Sequence, residues 1–345
     1  LDKREINGKI YYFLKKNIKG KKVFDILKLE VPKILRSIRW SKSMRWGAND
    51  DRWIRPIKNI LCLFDKKIIK FEFAGHLSNN FTYGNYQYSE NKIKCTDFLS
   101  YKKKLKENYV ILDRLTRQNE IIKKIKIFCK KNKLNYFIPP SFLKRVSDSV
   151  EFPNIFFGKF SADFFKLPEF LLINIMTDKQ DYFFFKDEKN KLSNRFGFIA
   201  GINPDKKDNL ITGNQNVLKS RFSDASFFIG EDKKKTLSER HTSLSEIIFY
   251  EQTGSLFDRA ARIVSLVRFI YKGVATEKND RILDFLLYSN ADLATELVKE
   301  FPNLQGKVGG YLAKLEDFPK KICVEFSDQY EYEFSDSYSN SLTFI

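Results

Sequence analysis

Residues 42–60, "KSMRWGANDDRWIRPIKNI", contain two of the chain's three tryptophans, and every tryptophan directly follows an arginine. The third pair, Arg39-Trp40, lies just upstream. Indole and guanidinium groups are well suited to stacking on bases and binding phosphates. Tryptophan is also mostly buried in globular domains, so each indole can anchor a core while its arginine is exposed by chance. Spacing alone leaves both interpretations open.

Length and composition indicate a folded protein with two domains. The chain has 345 residues, of which 43% are hydrophobic and 15% aromatic, enough to bury a sizeable core. The longest apolar run, "FLLINIM" at 170–176, is too short to cross a bilayer, so we expect no membrane partner. The first residues, "LDKRE", carry no signal or lipidation motif and indicate an internal part of a longer protein.

Cysteine and histidine are scarce. The four cysteines lie far apart without a Cys-x-x-Cys pair, which argues against both a zinc site and a disulfide scaffold. Two histidines leave little material for a metal centre or a His-based triad. We therefore expect no metal site and no His-based triad in this chain, and a reducing cytoplasmic location.

Positive charge is concentrated in the first part of the chain. Residues 1–150 carry 36 Lys+Arg against 14 Asp+Glu, whereas residues 151–345 carry 26 against 29. A lysine excess caused only by the base composition of an AT-biased genome would be distributed evenly along the chain. The asymmetry favours a basic surface that meets a polyphosphate such as nucleic acid.

Hydrophobic patterning predicts strands and helices as far as about residue 207, then mainly helices to about 315. The helical part includes a stripe of apolar residues in "SLFDRAARIVSLVRFI" (255–270). The last 21 residues, 325–345, are acidic and contain no Lys or Arg, so we expect a loose end. The predicted stripe consists of Leu256, Ala260, Ile263, Val267 and Ile270. For the part of the chain before residue 207, the patterning predicts a strand over 6–18, a helix over 33–40, strands over 53–64 and 66–75 joined by an Asp65-Lys66 turn, a helix over 98–133, and strands over 154–160, 181–186 and 196–202.

The segment "GNQNVLKSRFSDASFF" (213–228) places a basic pair, Lys219 and Arg221, just before Asp224. On a helix Leu218, Phe222, Ala225 and one of Phe227 and Phe228 would face the core, while the two basic side chains project outward near one another. The pair suits a phosphate or an acidic partner, and it can equally be an ordinary solvent-facing pair.

Sequence motifs for several enzyme classes are missing. The chain has no Gly-rich phosphate loop and no nucleophile elbow. An HD-type phosphohydrolase needs a His-Asp doublet with further His and Asp ligands, and no His-Asp doublet is present. A metal-dependent HD-type phosphohydrolase or an editing hydrolase is therefore disfavoured but kept as an alternative.

Five segments, in the same order along the chain, resemble blocks of the β subunit of bacterial heterotetrameric glycyl-tRNA synthetase. They are "MRWGANDDRWIRPI" (44–57), "MTDKQDYFFF" (176–185), "ITGNQNVLKSRFSDASFF" (211–228), "TGSLFDRAARI" (253–263) and "NADLATELVKEFPNLQGKVG" (290–309).

The resemblance implies an α+β fold and a place in an enzyme complex. The N-terminal mixed α/β domain (1–207) would resemble the editing module of the phenylalanyl-tRNA synthetase β chain, and a helical HD-like domain (208–318) and an acidic tail (319–345) would follow. The chain would be a non-catalytic, tRNA-binding fragment of glycine–tRNA ligase. Its partners would be tRNA-Gly and an α subunit that uses glycine, ATP and magnesium, in an α2β2 assembly.

Some positions depart from the family pattern. "YGNYQ" at 83–87 stands where the family has Arg-Gly-His-Arg-Phe, Asn290 and Gly201 replace other residues, and the pattern is lost after Lys314. These departures indicate a diverging copy and leave open a decayed scaffold without RNA function.

The opening segment matches the family at Arg45-Trp46 and at Arg55-Pro56. Trp46 and Trp53 flank the polar turn "GANDD" and can pack inward from two extended segments, leaving an exposed arginine cluster. The predicted RNA-binding residues are Arg45, Arg52, Arg55, Lys219 and Arg221. Each could instead form a salt bridge within the chain, because Asp50, Asp51 and Asp224 are close in sequence.

Overall fold

A computed structural model describes residues 2–14, 16, 19–202, 207–270 and 277–330. The chain forms two compact units. Unit 1 comprises Leu1–Lys123, Ser147–Asn154 and Ala200–Pro204, and unit 2 comprises Lys124–Val146, Ile155–Ile199 and Asp205–Ile345. The α+β class is confirmed. The domains 1–207, 208–318 and 319–345 were predicted from the resemblance rather than from compactness, and they stay a prediction.

The described part of unit 1 is built from short strands, two whole helices and parts of two more. A tight turn joins β4 to β5 because Asp65 and Lys66 both adopt positive φ (46° and 62°), as a two-residue hairpin requires. The turn predicted there is confirmed, although the flanking strands are much shorter than 53–64 and 66–75. The elements are β1 (Asp2–Ile6), β2 (Lys9–Phe13), α1 (Val23–Ser37), β3 (Ile60–Leu61), β4 (Leu63–Phe64), β5 (Lys67–Ile68), β6 (Glu72–Phe73), β7 (His76–Asn79), β8 (Phe81–Tyr83), β9 (Lys92–Lys94) and α2 (Phe98–Glu107).

The core of unit 1 lies where β6 and β7 turn back beside α1. β7 pairs with β6 antiparallel and with β3 parallel. Ile69, Phe71, Phe73 and Ala74 form the buried cluster, and side chains of α1 pack against it. The predicted helix over 33–40 therefore begins earlier, at Val23, because its apolar positions upstream also cover this cluster.

The rest of the chain is mainly helical and surrounds one four-stranded sheet. The strand order in that sheet is β10-β12-β13-β11. The strands predicted near 154–160, 181–186 and 196–202 are confirmed, with shifted ends. The elements are α3 (Arg114–Asn132), β10 (Asn135–Phe137), α4 (Pro140–Ser149), β11 (Asn154–Lys159), α5 (Glu169–Asn174), β12 (Phe183–Lys186), β13 (Leu192–Ala200), α6 (Lys207–Asp232), α7 (Leu237–Ser243), β14 (Ile248–Tyr250), β15 (Gly254–Ser255), α8 (Leu256–Ile270), α9 (Glu277–Tyr288), α10 (Glu296–Glu300), α11 (Lys307–Leu315) and α12 (Lys320–Asp328).

The sheet of unit 2 packs phenylalanine against phenylalanine. The rings of Phe128 and Phe157 stack with centroids 3.6 Å apart, and Phe183, Phe185 and Phe196 are almost completely buried. Such aromatic contacts add to the stabilisation from burial alone. No described helix is long and apolar enough to cross a membrane.

Two expectations about helices were wrong in part. The helix predicted over 98–133 is two helices, α2 and α3, separated at a turn where Tyr109 takes a positive φ of 59°. In the predicted stripe of α8, Ile270 is 69% exposed, and Val264 is buried in the core instead.

The expectation of a loose end over 325–345 was wrong for its first residues. Residues 325–328 belong to α12, which packs on α11. Phe326 is fully buried, and this aromatic anchor offsets the acidic composition of the segment. Residues 331–345 lie outside the described part of the chain.

Candidate nucleic-acid interface

The opening segment folds as a loop closed by one antiparallel bridge. Met44 and Trp53 exchange both backbone hydrogen bonds, with N···O distances of 2.8 and 3.2 Å. Gly47 adopts a positive φ of 59°, which reverses the chain between the two extended arms. The predicted turn between Trp46 and Trp53 is confirmed.

Aromatic contacts anchor this loop to the core of unit 1. The Trp53 ring lies edge-on to Trp40 at 4.9 Å and to Phe73 at 5.5 Å, measured between centroids. Trp46 also packs against the Phe73 cluster. The prediction that both indoles pack inward is confirmed, although all three tryptophans stay partly exposed.

Asp51 fixes the loop to two other segments. Its carboxylate accepts hydrogen bonds from Arg36 Nε at 2.7 Å and Nη2 at 3.2 Å on α1, and from the Ala74 N–H at 2.7 Å. The Arg36 hydrogen bond is the largest cause that holds the pKa of Asp51 below its usual value. The Asp51 carboxylate is therefore already occupied by hydrogen bonds within unit 1. Sequence reasoning missed this role, because Arg36 is 15 residues away and nothing local indicates the pairing.

Three arginines of the loop, here called the arginine edge, are exposed: Arg45, Arg52 and Arg55. Because Met44 is opposite Trp53, strand alternation puts Arg45 and Arg52 on the face away from the Trp53 indole. The Arg52 guanidinium donates to Ser43 Oγ at 3.2 Å and to Ser43 O at 3.4 Å, on that same face.

Among the residues that the structure describes, the arginine edge has only weak partners. Arg45 pairs with Asp50 at 3.3 Å, and the Asp50 side chain is 100% exposed. Exposed ion pairs of this kind contribute about 0–1 kcal/mol. Arg55 has no hydrogen bond or ion pair with any described residue. Within the described ranges, Arg45 alone of these three arginines forms an internal salt bridge, and that salt bridge is weak.

Lys219 and Arg221 lie in unit 2, on α6. Leu218, Phe222 and Ala225 are fully buried, as predicted, and both basic side chains are exposed. A helix turns about 100° per residue, so positions two apart do not face each other. The expectation that they project near one another was therefore wrong, since they flank the buried stripe on opposite sides. Neither one pairs with Asp224 or with another described carboxylate.

Polar residues of the other family-like segments in unit 2 are used internally. Asp178 accepts from the side-chain amides of Asn174 at 2.8 Å and Asn303 at 2.9 Å. Asp292, fully buried, accepts from the N–H groups of Gly306 at 2.6 Å and Gly309 at 3.1 Å. The Asn303 bond joins segment 176–185 to segment 290–309, and the bonds accepted by Asp292 tie segment 290–309 together internally.

A buried ion pair lies at the end of α6. Arg240 and Asp232 side chains are 4% and 2% exposed, with Nη2 3.2 Å from Oδ1. Asp232 also accepts from the N–H groups of Glu296 and Leu297 at 2.9 and 3.0 Å. The sequence shows no signal for this pair.

The described residues contain no group of three His, Cys, Asp or Glu side chains placed to share a metal ion. His241, for example, is buried between Phe257 and Tyr288, with ring centroids 4.6 and 5.8 Å away. Burial lowers the pKa of His241, which favours the neutral imidazole.

Comparison with known proteins gives one consistent answer. A family model for the glycyl-tRNA synthetase beta subunit matches residues 1–342. The match continues past Lys314, where we expected the family pattern to end. A glycine–tRNA ligase beta subunit of Rickettsia prowazekii is 35% identical over 326 residues, covering 94% of this chain and 48% of the relative.

Two further relatives agree with this. The beta subunit of Rickettsia bellii (strain OSU 85-389) is 35% identical over 333 residues, covering 96% of this chain and 50% of the relative. That of Rickettsia typhi is 35% identical over 332 residues, covering 96% and 49%. The chain spans about half the length of the curated relatives it matches. It belongs to the glycyl-tRNA synthetase beta subunit family.

Proposed function

We propose that this chain is a tRNA-binding, non-catalytic part of a glycine–tRNA ligase β subunit in the cytoplasm. An α subunit would activate glycine with ATP and magnesium, and two copies of each subunit would assemble. The domains that resemble an editing module and an HD domain are part of the same proposal, and we assign no catalytic residue and no cofactor to this chain.

The arginine edge is the observation that carries the proposal. Its three guanidinium groups are exposed on a loop anchored by tryptophan. Asp51 is already bound by Arg36, and Asp50 pairs with Arg45 only at an exposed site. Guanidinium groups bind phosphate through paired N–H donors. Residues 1–150 carry 36 Lys+Arg against 14 Asp+Glu, a surplus that would attract RNA at a distance.

Binding at this surface would help catalysis by holding the tRNA. Arginine–phosphate contacts neutralise charge on the backbone and fix its orientation. An acceptor arm that is already oriented loses less entropy when it meets the α subunit. Lys219 and Arg221 would contribute one phosphate contact each at most, since they lie on opposite flanks of α6.

The proposal is tested by measuring the binding of tRNA-Gly and of an unrelated tRNA over a series of salt concentrations. The test variant replaces Arg45, Arg52 and Arg55 with alanine. The control replaces Lys102, Lys103 and Lys106, three exposed lysines of α2. Lys104 is kept, because its ammonium donates to Lys94 O at 2.7 Å.

We expect the arginine variant to bind tRNA more than tenfold more weakly and to reduce the salt slope by about two to three. The lysine variant should change both quantities much less. Equal losses from both variants would indicate diffuse electrostatics without a defined site. Absence of binding at low salt would leave the decayed scaffold as the better description.

The alternative of a metal-dependent hydrolase has no observation in its favour. HD-type chemistry needs clustered His and Asp ligands. In the described part of unit 2, His241 is buried between aromatic rings, and the buried acids Asp292 and Asp232 accept hydrogen bonds from backbone N–H groups. We do not propose it.

A further inference from the structure

A cavity of about 510 Å³ lies in unit 1 beside the first turn of α2. We call it the α2 pocket. Cavities of this size are typical of sites that bind small molecules and cofactors. Residues 61–63 of β3 and β4 form its apolar floor, and its other lining side chains are Asn59, Thr82, Asp97, Phe98 and Tyr101.

The walls of the α2 pocket are fixed by contacts within unit 1. Asp97 Oδ1 accepts from the Ser100 N–H at 2.8 Å, and the Asp97 N–H donates to Ser100 Oγ at 3.1 Å, so the start of α2 is capped. Tyr101 packs against the buried cluster around Cys95. On the other side, β8 pairs with β9 through Thr82. The pocket is therefore preformed.

Polar side chains of the α2 pocket have unused hydrogen-bonding capacity. Within the described residues, the hydroxyl groups of Thr82 and Tyr101 have no hydrogen-bond partner. The Asn59 amide donates one N–H to Phe81 O at 2.9 Å, and its other N–H has no described acceptor. Neutral donors and acceptors that converge on a cavity are what fixes the orientation of a polar ligand.

An aromatic ring stands at the rim of the pocket. The Phe98 side chain is 66% exposed, and its ring centroid lies 6.4 Å from that of Tyr101, with the ring planes tilted by 39°. Exposed aromatic rings beside a basic surface are the usual platforms on which unpaired bases stack. Phe98 therefore favours a planar ligand.

The charges near the pocket favour a neutral group inside and an anionic group outside. The Asp97 carboxylate repels an anion from the cavity, and its oxygens have spare lone pairs for an amino group. The Ser100 N–H is the largest cause that lowers the pKa of Asp97, and the Lys66 ammonium adds to it. Lys66 is thus close enough to meet a phosphate that stays outside.

We propose that the α2 pocket binds one unpaired nucleotide. The base stacks on Phe98, its edge is hydrogen-bonded by Asn59 and Thr82, and its phosphate faces Lys66. Cytosine carries an amino group that can donate to Asp97, whereas uracil has a carbonyl oxygen at that position. The inference goes beyond the arginine edge, which needs phosphates only. It rests on the proposed function, because an unpaired stretch of tRNA would supply the nucleotide.

The test measures the dissociation constants between the full chain and fluorescently labelled cytidine and uridine hexamers by fluorescence anisotropy. Phe98→Ala removes the stacking ring, and Thr82→Val removes a hydroxyl with little change of shape. The matched control is Leu99→Ala, because Leu99 is 78% exposed on the same turn and does not line the pocket. Circular dichroism and the melting temperature check that each variant is folded.

We expect Phe98→Ala to weaken binding of the cytidine hexamer about tenfold and Thr82→Val about threefold, while Leu99→Ala changes it less than about twofold. The parent should bind the cytidine hexamer at least about threefold more tightly than the uridine hexamer. Asp97→Asn, which can still cap α2, should narrow that gap. Unchanged binding by folded Phe98→Ala and Thr82→Val overturns the proposal, as does an equal loss from Leu99→Ala.

Competition with unlabelled cytidine monophosphate separates two sources of the nucleotide. Displacement of the labelled hexamer only at much higher concentration than the unlabelled hexamer supports an RNA strand in the pocket, and displacement at equal concentration supports a free nucleotide. Displacement by neither overturns the site.

Failure of the pocket and failure of the arginine edge are distinguishable by salt dependence. Stacking releases no counterions, so Phe98→Ala should leave the salt slope of tRNA binding unchanged, whereas the arginine-edge variant should reduce it. A pocket variant without effect on hexamer binding would overturn this inference and leave the result for the arginine edge standing.

Discussion

The opening loop of unit 1 and the segment 290–309 of unit 2 both match the family, yet they use their charged groups in opposite ways. In unit 2, Asp292 is buried and bonded to the N–H groups of Gly306 and Gly309. In unit 1, Arg52 and Arg55 are exposed, without a carboxylate partner among the described residues. A family motif can therefore mark an internal joint or a surface kept for a partner, and burial decides between them.

The largest effect is expected at the buried pair of unit 2. Asp232→Ala leaves the Arg240 charge buried without a carboxylate, which should lower the free energy of unfolding by about 3–5 kcal/mol. Asp224→Ala, at an exposed site on the same helix, should change it by less than about 0.5 kcal/mol. Denaturant titration of both variants measures the difference.

A second variant isolates the cause. Replacing both partners, as Asp232→Leu with Arg240→Met, should recover part of the loss, because no charge is left unpaired. If the double variant is as unstable as Asp232→Ala, the hydrogen bonds that Asp232 accepts from the N–H groups at the start of α10 matter more than the ion pair.

The next effect is a pH dependence that comes from Asp292. Burial raises its pKa to about 6, whereas an unfolded aspartate titrates near 3.9. As the pH rises, the carboxyl ionises first in the unfolded state. The stabilisation that comes from burying Asp292 in its neutral form is therefore present at low pH and is lost as the pH rises from about 4 to about 6. Two pKa units correspond to about 3 kcal/mol.

The measurement compares the parent with Asp292→Asn by denaturant titration between pH 4 and pH 7. The asparagine cannot ionise, so the parent should lose stability relative to the variant as the pH rises, and the difference should level off above pH 6. Parallel profiles for the two proteins would show that Asp292 stays ionised in the folded state.

A smaller effect is expected where the arginine edge is held in place. Asp51→Asn weakens the hydrogen bonds from Arg36 and Ala74, and we expect a loss of about 1–2 kcal/mol. Asp50→Asn is the matched control, because it changes a carboxylate in the same loop that is fully exposed.

The cost of Asp51→Asn should depend on pH. The pKa of Asp51 is lowered in the fold, mainly by the Arg36 hydrogen bond. The stability that Asp51 contributes is therefore present at pH values above its pKa in the unfolded state, and it is lost as the pH falls through its pKa in the folded state. Parent and variant should converge in stability in acid, and a constant difference at every pH would contradict the role of the charge.

Much of the fold could be predicted because its signals are local. The Asp65-Lys66 turn, the strands around Phe183 and the buried stripe of α6 all follow from turn chemistry or hydrophobic spacing over a few residues. The break between α2 and α3 could not be seen, because Tyr109 is not a residue type that marks a positive φ. Ile270 was assigned to the core because periodicity shows which residues share a face and not what covers that face.

The residues of the candidate site could be predicted from the sequence, but the contacts that hold its loop in place could not. The Arg-Trp repeat drew attention to Arg45 and Arg52, and the spacing around "GANDD" predicted which groups face inward. Asp51 stood out no more than Asp50 in the sequence. Only the fold shows that Asp51 meets Arg36 and Ala74, since such pairings depend on how distant segments come together.

The smallest predicted effect tests whether the opening loop of unit 1 binds tRNA as a distinct site. In the described part of the chain, Asp50 is the one acidic side chain paired with the arginine edge, and its pair with Arg45 is exposed. Asp50→Asn should leave the free energy of unfolding within about 0.5 kcal/mol of the parent. It should strengthen tRNA binding about twofold at low salt, because it frees Arg45 and removes a charge that repels phosphate. Salt-dependent tRNA titrations of the parent and the variant measure this gain. Asp224→Asn, an equal change of charge on α6, should give a smaller one, and equal gains from both would mean that only net charge matters and that the loop is no distinct site.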